Sequence, residues 1–261
     1  MAKLKKIYGD AGHGGSDPGA VGYVTESKVN IKVVNHACEY LEKNYQCEVY
    51  KDVTADSINT ICKRANEWDA DLFFSVHFNA GGGDGFEALI YDAKDKALGQ
   101  CFAKHVKAAG QNLRSSSIAP GVKYRPDLGV LRLTKMPAIL SEIAFVDNKK
   151  DIKDWDENSE LKQMGIALAK AAADYLDLPK KTEEKSTTKK EETAGKKTDF
   201  LVRIRIRDLY IRRGPGKSYE DEGFIAPGVY TITETQGKWG KLKSSTAKKP
   251  RWIHLDYAER L

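Results

Sequence analysis

No stretch of this 261-residue chain approaches the roughly 20 consecutive apolar residues that a membrane-spanning helix needs. The opening residues, MAKLKKIYGDAG, are basic but include no apolar run of signal-peptide length. The expectation is a protein made in the cytoplasm. Cysteine is scarce, and Cys38, Cys47, Cys62 and Cys101 form no CxxC pair. That spacing argues against a thiolate zinc site. It leaves the thiols as reduced, mostly buried small residues, and nothing supports a Cys38–Cys47 bridge. Between Lys180 and Thr198 there is no aromatic or large apolar residue. Such a segment cannot bury a core, so residues 180–198 read as a charged, flexible linker.

Charge is uneven. Residues 1–179 hold 23 basic and 25 acidic residues, whereas residues 199–261 hold 13 basic and 8 acidic. A near-neutral body thus carries a basic tail, which fits an anionic partner. A nucleic-acid-binding protein is one reading of that tail, but no DNA- or RNA-reading motif accompanies it.

In residues 1–179, strand-like and helix-like patterns alternate. Leu4–Tyr8 and Cys47–Tyr50 read as strands, and Asp71–Phe78 reads as a buried parallel strand ending in histidine. Phe86–Tyr91, Leu128–Leu133 and Ala138–Ile143 read as further strands. Apolar residues recur at helical spacing from Val29 to Leu41, from Ile58 to Ala65, over Lys94–Leu113 and over Ser159–Leu176. Arg114–Asp127 reads as a surface loop. The pattern implies an α/β domain with a mostly parallel twisted sheet flanked by helices. In residues 199–261, short alternating runs separated by Gly-Pro-Gly and Pro-Gly turns imply a small all-β barrel or sandwich.

Candidate chemistry sits at the ends of these elements. His13 lies in a glycine-rich loop, Glu26 opens a helix and His77 ends a buried strand. The carboxyl ends of strands in an α/β sheet converge on one edge, where ligands bind. Two histidines and a carboxylate meeting there would suit a catalytic zinc with one open position. Glu142, at the end of another apolar strand, is a candidate general base. Taken singly, each has an ordinary role: a hydrogen-bonded histidine, a first-turn helix acid, an ion-paired glutamate. Asp10 could orient His13 or stabilise the turn, and Asn79 could contact substrate or shape the turn after His77.

The blocks GDAGHGGSDPGA, Glu26, Arg64-Ala65-Asn66, DLFFSVHFNA and MPAILSEIAFVDN resemble, in order and spacing, the zinc-dependent N-acetylmuramoyl-L-alanine amidases of the AmiC-like class (amidase type 3). The resemblance covers roughly Lys3–Leu178. It implies an α/β fold, one Zn2+ held by His13, Glu26 and His77, and Glu142 as catalytic glutamate. The implied reaction is hydrolysis of the amide between N-acetylmuramic acid and L-alanine of peptidoglycan. A zinc peptidase cutting a stem-peptide bond is the rival enzyme. Residues 200–261 are similar to bacterial SH3-like cell-wall-binding domains, with the RxGPGxSY turn as the main signal. That implies a wall ligand, with Tyr210, Tyr219 and Tyr257 as candidate contacts and Trp239 and Trp252 as core. The layout is that of a phage endolysin with a Gram-positive host, made in the cytoplasm and acting at the cell wall after release. The tail's charge would favour anionic wall polymers.

Overall fold

Strand β1 (Lys5–Ala11) runs three residues past the expected end, taking Gly9 and Asp10 into the sheet. A Cβ at Gly9 would lie 2.7 Å from the Phe74 ring, so glycine there permits a tight strand-to-core fit. This is a computed structural model, and it describes residues 3–181, 196–204, 209–216 and 219–261. The chain divides into two compact units, Met1–Thr182 and Glu183–Leu261.

In the first unit, α1 (Glu26–Asn44), β2 (Cys47–Asp52), α2 (Ile58–Glu67) and β3 (Leu72–Asn79) follow β1. Next come β4 (Glu87–Ile90), α3 (Lys96–Ala108), β5 (Val122–Tyr124), α4 (Gly129–Arg132), β6 (Ala138–Phe145), α5 (Lys149–Ile152) and α6 (Asn158–Tyr175). The six strands are ordered β2-β1-β3-β6-β4-β5. Strands β2, β1, β3 and β6 are parallel; β4 runs antiparallel to β6, and β5 follows β4. The carboxyl ends of β1, β3 and β6 and the start of β4 therefore share one edge.

Each face of the sheet has its own core. Val33, Val34, Ala37 and Leu41 of α1 pack with Phe102 of α3 and Leu161, Met164 and Leu168 of α6. A Cβ at Gly165 would lie 2.7 Å from both the His36 Cβ and the Val33 carbonyl oxygen, so α1 and α6 approach at backbone distance. On the opposite face, Ile61, Cys62 and Ala65 of α2 pack with Tyr8, Phe73, Leu89 and Leu140. Full burial of a Leu or Phe here contributes about 1.5–3 kcal/mol. The four thiols are unpaired, and burial pushes Cys38 up to about 12.

Three expectations need correction. Leu128–Leu133 is not a strand: residues 129–132 form α4, whose Val130 and Leu131 complete the α2-side core. A short apolar run fits either structure, and here it packs as a helix with Ile61, Cys62 and Ala65 of α2. The expected loop Arg114–Asp127 contains β5, an edge strand on β4. The helix expected over Lys94–Leu113 covers only Lys96–Ala108, preceded by a 3-10 turn at Ala93–Asp95 and followed by Gly110 at φ 108°.

Most of the expected linker, residues 182–195, lies outside the described residues. Lys180 and Lys181 belong to the first unit, Lys180 pairing with Tyr45 and the Lys181 N–H donating to the Asn44 carbonyl. The second unit is an antiparallel sheet of β7 (Lys196–Ile204), β8 (Tyr210–Arg212), β9 (Asp221–Phe224), β10 (Gly228–Gln236), β11 (Trp239–Leu242), β12 (Trp252–His254) and β13 (Glu259–Arg260). Their order is β13-β7-β10-β11-β12-β8-β9. Strand β7 thus takes in residues 196–198, which the charge pattern assigned to the linker. Val202, Ile204, Ile211, Ile232, Leu242 and Ile253 form its core. No helix among the described residues is long and apolar enough to cross a membrane.

Candidate metal centre and active site

At the end of β1 the chain turns sharply, with His13 at φ 61°. Two backbone bonds between Gly14 and Asp17, of 2.8 and 2.9 Å, close the turn. Asp17 then faces back: its Oδ2 lies 2.8 Å from His13 Nδ1, and its Oδ1 accepts from the Gly19 N–H. That fixes the ring and leaves His13 Nε2 free to point inward, 3.4 Å from Glu26 Oε2.

Glu26 is buried at the first turn of α1. Its Oε2 accepts from the Ala20 N–H at 2.7 Å, and its Oε1 accepts from the Phe78 N–H at 3.0 Å. Oε1 also lies 3.0 Å from His77 Nδ1. Burial alone would raise the Glu26 pKa, but His77 and the two backbone donors outweigh it and hold the carboxylate below its usual range. Nearby, the buried Asn30 amide donates to the Gly12 carbonyl at 2.7 Å, tying α1 to the end of β1.

One ligand atom from each of His13, Glu26 and His77 lies within 4.8 Å of the others. Two imidazoles and one carboxylate, with the second nitrogen of His13 held by an acid, are the donor set of a hydrolytic zinc site. Glycines make room for it. A Cβ at Gly12 would lie 2.1 Å from His77 Nε2, and one at Gly19 would lie 2.6 Å from Glu26 Oε2 and 2.7 Å from His13 Cδ2. The residues present fit a single cation.

Glu142 is the direct β6 partner of His77. Its Oε2 is buried and makes no hydrogen bond. Burial pushes its pKa up to about 7, helped by the charges of Glu26 and Glu87 and opposed by His77 and His13. A carboxylate with one buried, unused oxygen and a pKa near neutrality can take up and release a proton.

The structure brings His13, Glu26, His77 and Glu142 together and removes Asp10 from the expected role. Asp10 is buried and accepts from Ser75 Oγ at 2.5 Å, while Asp17 holds His13. Burial pushes the Asp10 pKa up to about 6. Asn79 donates to Glu87 Oε2 at 3.1 Å, and Asn79 Oδ1 accepts from the Ala80 N–H. In the second unit, the Tyr210 ring lies tilted 4.5 Å from that of Phe224, and Tyr257 is 5.5 Å from the His254 ring. Tyr219 packs over Gly214, where a Cβ would lie 2.2 Å from its ring. Tyr210 and Tyr257 therefore sit in separate aromatic contacts, and Tyr219 lies against the Gly214 backbone. Trp252 is buried, and Trp239 is half-buried against His254 at 5.0 Å.

Known proteins are similar to this chain. Residues 7–174 match the N-acetylmuramoyl-L-alanine amidase family model Amidase_3. The chain is 32% identical over 262 residues to an endolysin of Bacillus phage SPP1, covering 95% of this chain and 87% of that protein. It is 31% identical over 183 residues to the sporulation-specific N-acetylmuramoyl-L-alanine amidase of Bacillus subtilis, covering 68% of this chain and 70% of the relative. Among solved structures, it resembles the catalytic domain of CwlV, an N-acetylmuramoyl-L-alanine amidase from Bacillus (Paenibacillus) polymyxa var. colistinus. That match has a TM-score of 0.61 and 27% identity, and covers 67% of this chain and all of the other. With a family match spanning β1 to the last turn of α6 and relatives of this similarity, the chain belongs to the N-acetylmuramoyl-L-alanine amidase family.

Proposed function

We propose that His13, Glu26 and His77 hold one Zn2+ and that Glu142 is the general base of a peptidoglycan amidase. The family reaction is hydrolysis of the amide between the lactyl group of N-acetylmuramic acid and L-alanine. Zinc held there supplies a Lewis acid for the scissile carbonyl and acidifies the attacking water. Asp17 orients His13 through Nδ1 and turns Nε2 inward, and His77 with the Ala20 and Phe78 N–H groups favours the ionised form of Glu26. Glu142 takes the proton of the attacking water and passes it to the nitrogen of the departing alanine. Burial, helped by the neighbouring Glu26 and Glu87 charges, raises its pKa to near neutrality, where both transfers are favourable.

The single observation that carries this reading is the unused, buried Oε2 of Glu142, one strand from a three-residue ligand set. The test is digestion of purified cell wall. New N-terminal alanine without new reducing sugar is expected. New termini at other residues would contradict the amidase reading and favour a zinc peptidase.

The second unit serves, in this reading, as an SH3-like wall-binding module, with Tyr210, Tyr219 and Tyr257 as contacts. Its basic charge would draw it to anionic wall polymers. The phage endolysin similarity spans 95% of the chain and so takes in both units. That extent supports an endolysin that acts at a Gram-positive wall after release from the host cytoplasm.

A further inference from the structure

Beside the general base lies a second, cationic cluster. Glu142 on β6 is paired directly with Glu87 on the antiparallel β4, so the two side chains project from the same face of the sheet. Glu87 is nearly buried, with its side chain 10% exposed. Two carboxylates on directly opposed residues, Glu87 buried and Glu142 half-buried, repel each other, so Glu87 requires a counter-charge. It has two. Arg114 Nη1 donates to Glu87 Oε2 at 3.1 Å, and Lys123 Nζ lies 3.6 Å from Oε1. Asn79 adds a third donor at 3.1 Å.

One cation would neutralise Glu87; the other is surplus. A simple pair looks different nearby: Arg125 is matched one-to-one with Asp127, at 2.7 and 2.9 Å. Arg114 is also held in place rather than waving in solvent. Its guanidinium lies 4.9 Å from the centre of the Phe145 ring, and its backbone N–H donates to the Phe86 carbonyl at 3.2 Å. Yet the side chain of Arg114 is 37% exposed and that of Lys123 is 52% exposed. Of the five N–H donors of a guanidinium, Arg114 commits one to Glu87. The remainder form a fixed fork at the rim of the site, a geometry suited to a carboxylate.

We propose that Arg114, with Lys123 beside it, binds a carboxylate of the stem peptide and sets the enzyme's preference for acidic over amidated stems. The inference rests on the amidase reading, since the stem peptide is the leaving group of that reaction. Glu87 then acts as a positioning residue that presents Arg114, with Asn79 bracing Glu87. The peptide would leave across β4 and β5, away from the His13 loop.

Two carboxylates of a stem could serve: that of the γ-linked glutamate after alanine, and that of the peptide terminus. The experiment uses N-acetylmuramoyl-tripeptide in three forms: both carboxylates free, the second-residue one amidated, or the terminal one amidated. Steady-state kinetics are measured for the wild type, Arg114→Gln and Arg114→Lys. One amidated form should lose about tenfold in kcat/KM, mostly through KM, as expected for one charge-assisted hydrogen bond. Which form loses identifies the carboxylate. Arg114→Gln should bring the ratio of free to amidated forms to within about twofold of one, while Arg114→Lys retains part of it. Equal loss on all three forms in Arg114→Gln, or a wild type indifferent to amidation, overturns the proposal. Binding of the same three ligands to Glu142→Gln, measured by calorimetry, separates this from the amidase reading. If the wild type hydrolyses none of them while binding still discriminates, the reaction assignment fails and the carboxylate site stands.

Discussion

His77 and Glu142 face each other as direct partners on the parallel strands β3 and β6. Adjacent strands lie about 4.8 Å apart, and paired residues share a face. The proposed ligand and the proposed proton acceptor are thus held one strand apart by backbone hydrogen bonds rather than by flexible loops. The register shifts between His77 and Asn79, so the pairing is set just before the strand ends irregularly.

Glu142→Gln keeps the shape of the side chain and removes its basicity. Wall hydrolysis should fall by about 10²–10⁴. Metal content should be unchanged, because Glu142 is outside the ligand set. Turbidity clearing and elemental analysis on the same preparation check both halves.

The pH profile should follow Glu142. Burial pushes its pKa up to about 7, and a base acts only when ionised. Activity should therefore fall with unit slope as pH drops below that value. A cation on the neighbouring ligands favours the ionised form, so the limb in the metal-loaded enzyme should lie at or below about 7. The residual activity of Glu142→Gln should lack the limb. A limb unchanged in that variant would assign it to another group.

Asp17, not Asp10, should control metal affinity. Asp17→Ala frees His13 Nδ1 and should weaken binding by about 10–100-fold, as for other residues that orient a ligand histidine. Asp10→Asn should change it far less, since Asp10 bonds Ser75. Competition with a chromophoric chelator measures both.

Arg64 should matter for stability rather than for chemistry. Its guanidinium bonds the fully buried Asp52, which also accepts from Tyr8 and Thr54, and bonds Asp56 at 2.5 Å. Arg64→Ala leaves a buried carboxylate without its cation and should cost about 3 kcal/mol by urea unfolding. Burial alone would raise the Asp52 pKa, but Thr54, Tyr8 and Arg64 hold it below the usual range. A depressed carboxylate stabilises above its unfolded pKa of about 3.9 and loses that contribution as pH falls through the folded value. The gap between wild type and variant should persist from pH 7 to about 5 and close only in stronger acid.

Much of the site was legible because its residues end elements. His77 closes the apolar run of β3 and Glu26 opens an amphipathic helix, so topology alone brings them to one edge. Asp10 bonds Ser75 rather than His13 because strand β1 continues through it. Alternation then places Asp10 with Tyr8 on the α2 side of the sheet, beside Ser75, and away from His13, which turns off the strand at positive φ. Asp17 carried a local signal, an acid four residues after His13 before a Pro-Gly turn. The Glu87–Arg114–Lys123 cluster carried none. It depends on β4 running antiparallel to β6 and on β5 pairing at the edge, and a single sequence does not state register. Likewise, α4 packs in the core beside α2, a tertiary contact that no local pattern records.

The most direct test of the account measures zinc per chain and wall clearing together in the wild type, His77→Ala and Glu142→Gln. The account predicts one zinc and clearing in the wild type, neither in His77→Ala, and one zinc without clearing in Glu142→Gln. Full clearing by Glu142→Gln, or zinc retained at one per chain in His77→Ala, would contradict it.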